Sequence, residues 1–255
     1  AQLPALNDIA MVAPLSSKAV QQRENIYQSV SPLASIRDKM VAYLSQIIDT
    51  TQNVVIIADT LNAAFVKRLE EKYPFAHRVR PEAGGFVMPD LIDSLLIDSL
   101  HNKVVYESQD LNLTANVISL LNSQVSKERD VQLFTTLRTP IYENDNISRK
   151  HLGNLRFTYL NGNHPIEGAR RAAFKKTYQE RFGDFPSKAA FRAYDVTLDA
   201  ILRLAYQERI YIPTIGETDY IENRFNYAEA PQAGYQNVGF YLLQHQGYEI
   251  VEIKK

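Results

Sequence analysis

The stretch Asn53–Phe75, NVVIIADTLNAAFVKRLEEKYPF, decides the fold. Val54 to Ala58 form an unbroken apolar run, the pattern of a strand covered on both faces. After a short polar turn, Phe65, Val66, Leu69 and Tyr73 recur at the spacing of one helix face. The stretch reads as strand, turn and helix. Turns of this kind often hold phosphate on glycines, yet no glycine stands in this one.

The same alternation extends in both directions. Upstream, Ile9–Ala13 is a short apolar strand stopped by Pro14, and Asn25–Val30 is a second strand-like piece. Ser31 and Pro32 then open a helix, with Ile36, Met40, Val41, Leu44, Ile47 and Ile48 at helical spacing. Downstream, a loop through RPEAGG leads to a helix expected over Pro89 to about His101. Lys103–Ser108 is a strand, and Leu113, Val117, Leu120 and Leu121 mark the helix after it. Asp130–Thr136 is another strand, a short helix lies near SRKHLG, and Leu155–Leu160 is a further strand. Strands alternating with helices predict an α/β fold with a parallel sheet in a three-layer αβα arrangement.

After NGNHP the character changes. Two successive helices are expected, about Glu167–Phe182 and Lys188–Gln207, separated by GDFPS. Phe174, Tyr178 and Phe182 mark the expected buried edge of the first. Phe191, Tyr194, Leu198, Ile201, Leu202 and Ala205 mark that of the second. The end reads as a hairpin, with two apolar runs around Gln246 and Gly247.

Composition excludes several function classes. The chain has 255 residues, 45% hydrophobic and 22% charged, with net charge −1. It can build a sizeable core, and no global field draws it to nucleic acid or an anionic membrane. The densest basic run, Arg170–Lys176, reads more simply as the solvated face of a helix. No apolar run approaches a membrane span. The opening residues lack the basic and apolar regions of a signal peptide, so the chain is expected to be either cytosolic or a processed or cut-down form of an exported protein. Cysteine is absent, which removes disulfides and thiolate chemistry. The five histidines are scattered without paired spacing, so no metal site and no cofactor is expected. No nucleophile, base and orienting group can be assembled from the text, so the chain is read as a non-enzyme.

What remains is the geometry of parallel sheets, where ligands bind outside the carboxyl ends of the strands. Those ends carry Ser16 and Ser17, Asp59 to Asn62 (Thr60 among them), Glu107 to Gln109 (with Ser108 between), and Thr135 to Arg138. Arg138 is the cation among them. Such a set suits a small polar or zwitterionic molecule held by hydrogen bonds. The alternative is that loop ends are polar in any case, and that Asp59 only caps the turn before its helix.

The order of elements resembles a known family. IAMVAPLSSK (9–18), NIYQSVSPLASIRDKMVAYLSQ (25–46) and NVVIIAD (53–59) resemble the middle of type I periplasmic binding proteins. FKKTYQERFGDFPSKAAFRAYDVTLDAILRLA (174–205) is similar to the family's return segment. The nearest likeness is to envelope proteins in which this module follows LysM repeats. The resemblance implies two lobes: a partial first lobe (1–31 plus 161–212), a second lobe (32–160), and C-terminal strands near the hinge (213–255). It implies hinges near Ile26–Val30 and Phe157–Leu160, and closure of the lobes around a ligand. Ser16 and Ser17 match the loop that grips the ligand's carboxylate. Asp59 to Asn62 match the first contact loop of the second lobe, and Arg138 lies where amino-acid binders often place an acidic residue. The family's Tyr-Gly after the Asp59 position is replaced here by TLNAAF, and the acidic residue expected after LFTT is missing, with Arg138 and Thr139 in its place, so an α-ammonium would lack its usual counter-charge.

The resemblance also implies that roughly a hundred residues of the first lobe, about one small domain, are missing. The chain is therefore expected to be a fragment whose half-built lobe favours a homodimer. Two functions follow: an extracytoplasmic module that captures a small polar ligand in the inter-lobe cleft, or a cell-envelope scaffold or regulator of peptidoglycan machinery, contacting a cell-wall component, that keeps the fold without the ligand. Either places the chain in the periplasm or cell envelope.

Overall fold

The computed structural model describes residues 9–13, 15, 23–164, 168–231 and 233–253. The chain opens with strands β1 (Met11–Ala13) and β2 (Ile26–Gln28), then helix α1 (Leu33–Ile47). Next come β3 (Asn53–Ala58), α2 (Ala63–Lys72), β4 (His77–Val79), α3 (Pro89–Leu95), β5 (His101–Glu107) and α4 (Leu111–Gln124). β6 (Asp130–Phe134) leads through a 3₁₀ turn at Pro140–Glu143 to α5 (Arg149–Asn154) and β7 (Thr158–Asn161). The helices α6 (Ala169–Phe182) and α7 (Lys188–Gln207) follow. The last part holds β8 (Thr218–Asp219), β9 (Arg224–Phe225), β10 (Tyr227–Glu229), β11 (Tyr235–Asn237), β12 (Tyr241–Gln246) and β13 (Glu249–Glu252).

The chain forms two compact units, one of residues 1–36 and 161–241 and another of 37–160 and 242–255. The second is built on a seven-stranded sheet of order β13-β12-β7-β6-β5-β3-β4. Its strands β4, β3, β5, β6 and β7 run parallel, with Val55 opposite Val104 and Val104 opposite Leu133. All six residues of β3 are buried, so both faces of the sheet are covered there. Met40 and Leu44 of α1 and Val117 and Leu121 of α4 are buried as the periodicity requires. Phe134, Phe157 and Tyr159 add large fully buried rings. The C-terminal hairpin forms, with Gln244 opposite Val251 and Gly247 in the left-handed region at φ 60°. Its turn lies against α5 so closely that a Cβ on Gly153 would meet the Gly247 carbonyl oxygen at 1.9 Å.

Helix α3 stops at Leu95 rather than near His101, and His101 instead begins β5. The reason is Asn102. Its buried amide donates to the carbonyls of Ile97, Leu100 and Asp130 and accepts from Ile97 N, which folds 97–100 into a tight loop with Ser99 at φ 65°. β7 starts at Thr158, not Leu155, because Leu155 and Arg156 still close the end of α5. The short edge strand β4 carries two charged or ionisable residues in three and has no alternating signal.

The first unit is built on a four-stranded sheet of order β1-β2-β11-β10, with β1, β2 and β11 parallel. Tyr27, Val196, Ile210, Phe225 and Tyr227 form its apolar core, with Tyr235 stacked on Tyr27 at 4.6 Å. Here the helix readings need correction. Helix α6 buries no residue, and Phe182 is exposed. On α7 the buried positions are Phe191, Asp195, Val196, Asp199 and Arg203, while Tyr194, Ile201, Leu202 and Ala205 face outward.

The physical reason is that the polar stripe of α7 holds the β8–β9 hairpin. Asp195 accepts the backbone N–H groups of Ile221, Glu222 and Asn223 at 2.9–3.1 Å, plus the Asn223 amide. Asp199 takes Arg203 Nε on both oxygens at 2.9 Å, together with the hydroxyls of Thr218 and Tyr220. A saturated carboxylate can be buried. A rule that places apolar residues inside assigns the opposite face.

Candidate functional site

In the second unit, the strand ends converge as the parallel sheet requires. Asp59 follows β3, and its carboxylate accepts from Leu61 N at 2.8 Å and from the Ser108 hydroxyl. Ser108 follows β5 and in turn accepts from Asp110 N at 3.0 Å. Asp110 caps α4 through Leu113 N at 2.7 Å. Two of the candidate residues, Asp59 and Ser108, are thus in direct contact. Asn62 is the N-cap residue of α2 but makes no side-chain cap bond, and its amide nitrogen is buried without a hydrogen-bond partner among the described residues. Thr60 and Gln109 are exposed.

The residue before Ser108, read from the sequence as one of the polar strand ends but not as a ligand contact, organises the site. Glu107 is fully buried. Its carboxylate accepts from Thr136 N at 2.6 Å, after β6, and from Arg37 Nη2 at 3.2 Å, on α1. Burial pushes this carboxyl up, against the lowering effect of Thr136 and Arg37. Arg37 also lies over the Phe65 ring at 4.3 Å. The ends of β3, β5 and β6 are therefore stitched by Asp59–Ser108 and Glu107–Thr136. A second cation, Arg37, joins Arg138 in this part of the sheet. Only a long-range contact reveals Arg37, because it sits mid-helix with no motif around it.

Arg138 is placed differently from the other candidates. Its Nη2 donates to Glu143 at 2.9 Å, and its guanidinium lies over the Tyr159 ring at 5.2 Å. No contact joins it to Asp59 or Ser108 among the described residues. Arg138 Nε and the neighbouring Thr139 hydroxyl are buried without a hydrogen-bond partner there. Below this end of the sheet, burial pushes Tyr106 up to about 12, its hydroxyl 2.9 Å from Thr114 Oγ1. His245, buried near Phe157 and Tyr159, is pushed down to about 4 by burial and by Arg138 and Arg149.

Ser16 and Ser17 lie outside the described residues. In the first unit a cavity of about 340 Å³ opens beyond the carboxyl end of β2, lined by Ser29, Ser31, Asn161, Asn163, Arg192 and Ile36 among others. Ser29 donates to the Ala13 carbonyl at 3.1 Å and accepts from Arg192 Nη2 at 3.0 Å. Asn237 locks the same end. Its amide donates to the Ser29 and Arg224 carbonyls and accepts from Asn226 N and Gly239 N. Among the described residues no group of three or more histidine or acidic side chains could hold a metal, and no helix is long and apolar enough to cross a membrane.

No family model and no curated protein matches the sequence. The fold does have solved counterparts. The branched-chain amino acid transporter substrate binding protein LivJ from Streptococcus pneumoniae, solved with isoleucine, matches with TM-score 0.52 at 11% identity, over 94% of this chain and 70% of that one. An amino acid ABC transporter substrate-binding protein from Pseudomonas fluorescens matches at TM-score 0.49 and 12% identity, over 96% and 71%. The leucine-, isoleucine-, valine-, threonine- and alanine-binding protein from Brucella ovis gives 0.49 and 12%, over 94% and 67%. The fold assignment rests on the first of these, and no family is assigned beyond it. Mostly parallel sheets, interleaved helices and this likeness together show that the chain has the fold of the type I periplasmic binding proteins.

Proposed function

We propose that this chain is a non-enzymatic, extracytoplasmic solute-binding-like module that takes a small polar ligand in a cleft between two lobes. Fold by itself does not give function. The observation that carries the reading is the set of buried polar atoms at the strand ends. The Asn62 amide, Arg138 Nε and Thr139 Oγ1 are all without a protein partner among the described residues. A buried polar atom left unpaired costs about 1–3 kcal/mol, so three on the loops where parallel sheets bind ligands favour a polar guest. In this reading Asp59, Thr60, Asn62, Ser108, Gln109 and Arg138 supply the second lobe's contacts, and Ser16 and Ser17 those of the first.

The second reading is an envelope scaffold or regulator of peptidoglycan machinery that contacts a cell-wall component. The engagement of Arg138 with Glu143 and Tyr159 favours it, as does the use of Asp59 by Ser108 and Leu61 N. Groups already spent internally have less to give a guest. The exposed apolar face of α7 supports the association of two copies in either reading.

A thermal-shift screen with amino acids, small organic acids and muropeptides separates the two. A ligand at 100 times its Kd adds about 2.7 kcal/mol, and Asp59→Ala with Ser108→Ala should abolish the shift. Silence across amino acids and small acids would reject capture, and a shift with muropeptides alone would favour the envelope role.

A further inference from the structure

The basic run Arg170–Lys176 sits on a helix without a buried edge. α6 buries no residue, and Phe182 at its end is 62% exposed. Phe185, three residues on, is 67% exposed. Both rings stand on the turn that joins α6 to α7, and the turn is fixed at each end. Gly183, in the left-handed region at φ 76°, closes α6 with its N–H on the Gln179 carbonyl at 2.8 Å. Asp184 accepts from Phe185 N at 2.7 Å, and Ser187 caps α7 by accepting from Ala190 N at 3.3 Å. A turn capped on both sides presents its side chains in a set direction, so the outward rings are built in.

Charge is concentrated on the same segment. Residues 170–188 hold six lysines and arginines against two carboxylates, Glu180 and Asp184, while the whole chain has a net charge of −1. Arg170, Lys176, Arg181 and Lys188 are exposed. Arg171 is engaged by Glu222 and is not counted among the available cations. Lys176 makes a solvent-exposed pair with Glu180 at 3.9 Å, a contact of little strength. The Arg181 guanidinium lies over the Phe182 ring at 5.7 Å, so cation and apolar ring meet at one point.

We infer that the α6–α7 turn docks on a bilayer that carries acidic headgroups. Phe182 and Phe185 enter the boundary of the acyl chains, and Lys176, Arg181 and Lys188 meet the headgroup phosphates. Phenylalanine beside lysine and arginine suits a segment that lies on a membrane rather than crossing it, and clustered cations are drawn to an anionic leaflet. Two other occupants fit less well. A second copy docked through the same turn would set one basic segment against another, and like-charge juxtaposition opposes such pairing. A soluble polyanion answers the cations but leaves both rings in water. The inference is independent of solute capture, because none of these residues belongs to the strand ends.

The chain contains no tryptophan, so Phe185→Trp places one fluorescent reporter on the turn. The purified chain is centrifuged with vesicles of phosphatidylglycerol and phosphatidylcholine, and with vesicles of phosphatidylcholine alone, at low and high salt. It is expected to sediment with the anionic vesicles, to be released by salt, and to show a blue-shifted reporter when bound. Phe182→Ser with Phe185→Ser should weaken sedimentation by about tenfold. Lys176→Gln with Arg181→Gln should weaken it by about fivefold for each charge removed. All four side chains are exposed, and circular dichroism checks that the variants are folded.

Equal binding to neutral vesicles, or none to either kind, overturns the inference. Sedimentation with an unshifted reporter also overturns it, since the contact then lies elsewhere on the chain. Heparin binding as tight as that to the anionic vesicles, and unaffected by the two serine substitutions, overturns the bilayer in favour of a soluble polyanion. Self-association without lipid that the same two substitutions abolish overturns it in favour of a second copy.

Discussion

The two units solve the same problem, fixing a parallel sheet, with opposite materials. The second unit does it with apolar burial: every residue of β3 is inside, and its helices turn leucine, methionine and valine inward. The first unit turns Asp195, Asp199 and Arg203 inward and leaves Ile201 and Leu202 more than half exposed. The contrast teaches that a small sheet with short strands depends on hydrogen-bonded carboxylates to hold its loops. Where apolar area is limited, a saturated aspartate can fix several backbone N–H groups at once.

The largest effects should come from the buried charges, and they test whether the contrast extends to energetics. Asp199→Ala leaves Arg203 buried beside neutral groups, and Glu107→Ala leaves Arg37 and Thr136 N without their carboxylate. Each is expected to cost about 3–5 kcal/mol, read by urea unfolding. Glu107→Gln keeps an acceptor for Thr136 N and should cost less. If Asp199→Ala proves mild while Glu107→Ala is severe, the first unit is held by its apolar core after all.

Apolar truncation should separate the units next. Leu44→Ala, at a fully buried position of the second unit, is expected to cost about 2–5 kcal/mol by cavity formation. A similar cost for Ile201→Ala would contradict the outward placement of that residue.

In the second unit, acid sensitivity between about pH 6.5 and 4 is expected from His245. The folded pKa of His245, about 4, lies below its ordinary 6.5. The unfolded chain therefore binds the extra proton first, and stability falls as pH drops from about 6.5 to 4. The loss reaches about 3 kcal/mol at pH 4 by linkage. His245→Gln should flatten this part of the pH–stability curve, and an unchanged slope would place the sensitivity elsewhere.

The smallest effect is expected on the α7 surface. Ile201→Gln with Leu202→Gln should change monomer stability by no more than about 0.5 kcal/mol, yet reduce any self-association measured by light scattering. A large loss of stability would show that this face is packed in solution.

Legibility followed the same divide. In the second unit, periodicity and apolar runs located α1, α2 and α4 and the strands β3 and β5 between them, but not the short β4. There, burial of apolar side chains is the dominant force, and its signal is local and repetitive. The end of α3 was illegible because Asn102 determines it from the next strand. At the site, polar strand ends singled out Asp59 and Ser108, which do meet. Glu107 stood among the polar strand ends, but Arg37 and its pairing with Glu107 escaped notice because a buried ion pair joins residues seventy positions apart, and no motif surrounds Arg37. In the first unit the two long helices were legible, but their inward faces were not.

The sequence by itself determined an α/β chain with parallel strands, and it located most of the helices and strands, because a hydrophobic period is written residue by residue. Only the tertiary structure decided which face of α7 is buried and which strand ends are joined, and it alone placed Arg192 in a cavity. Those outcomes depend on hydrogen bonds between residues far apart in the chain, and no local pattern encodes a partner that arrives from another element.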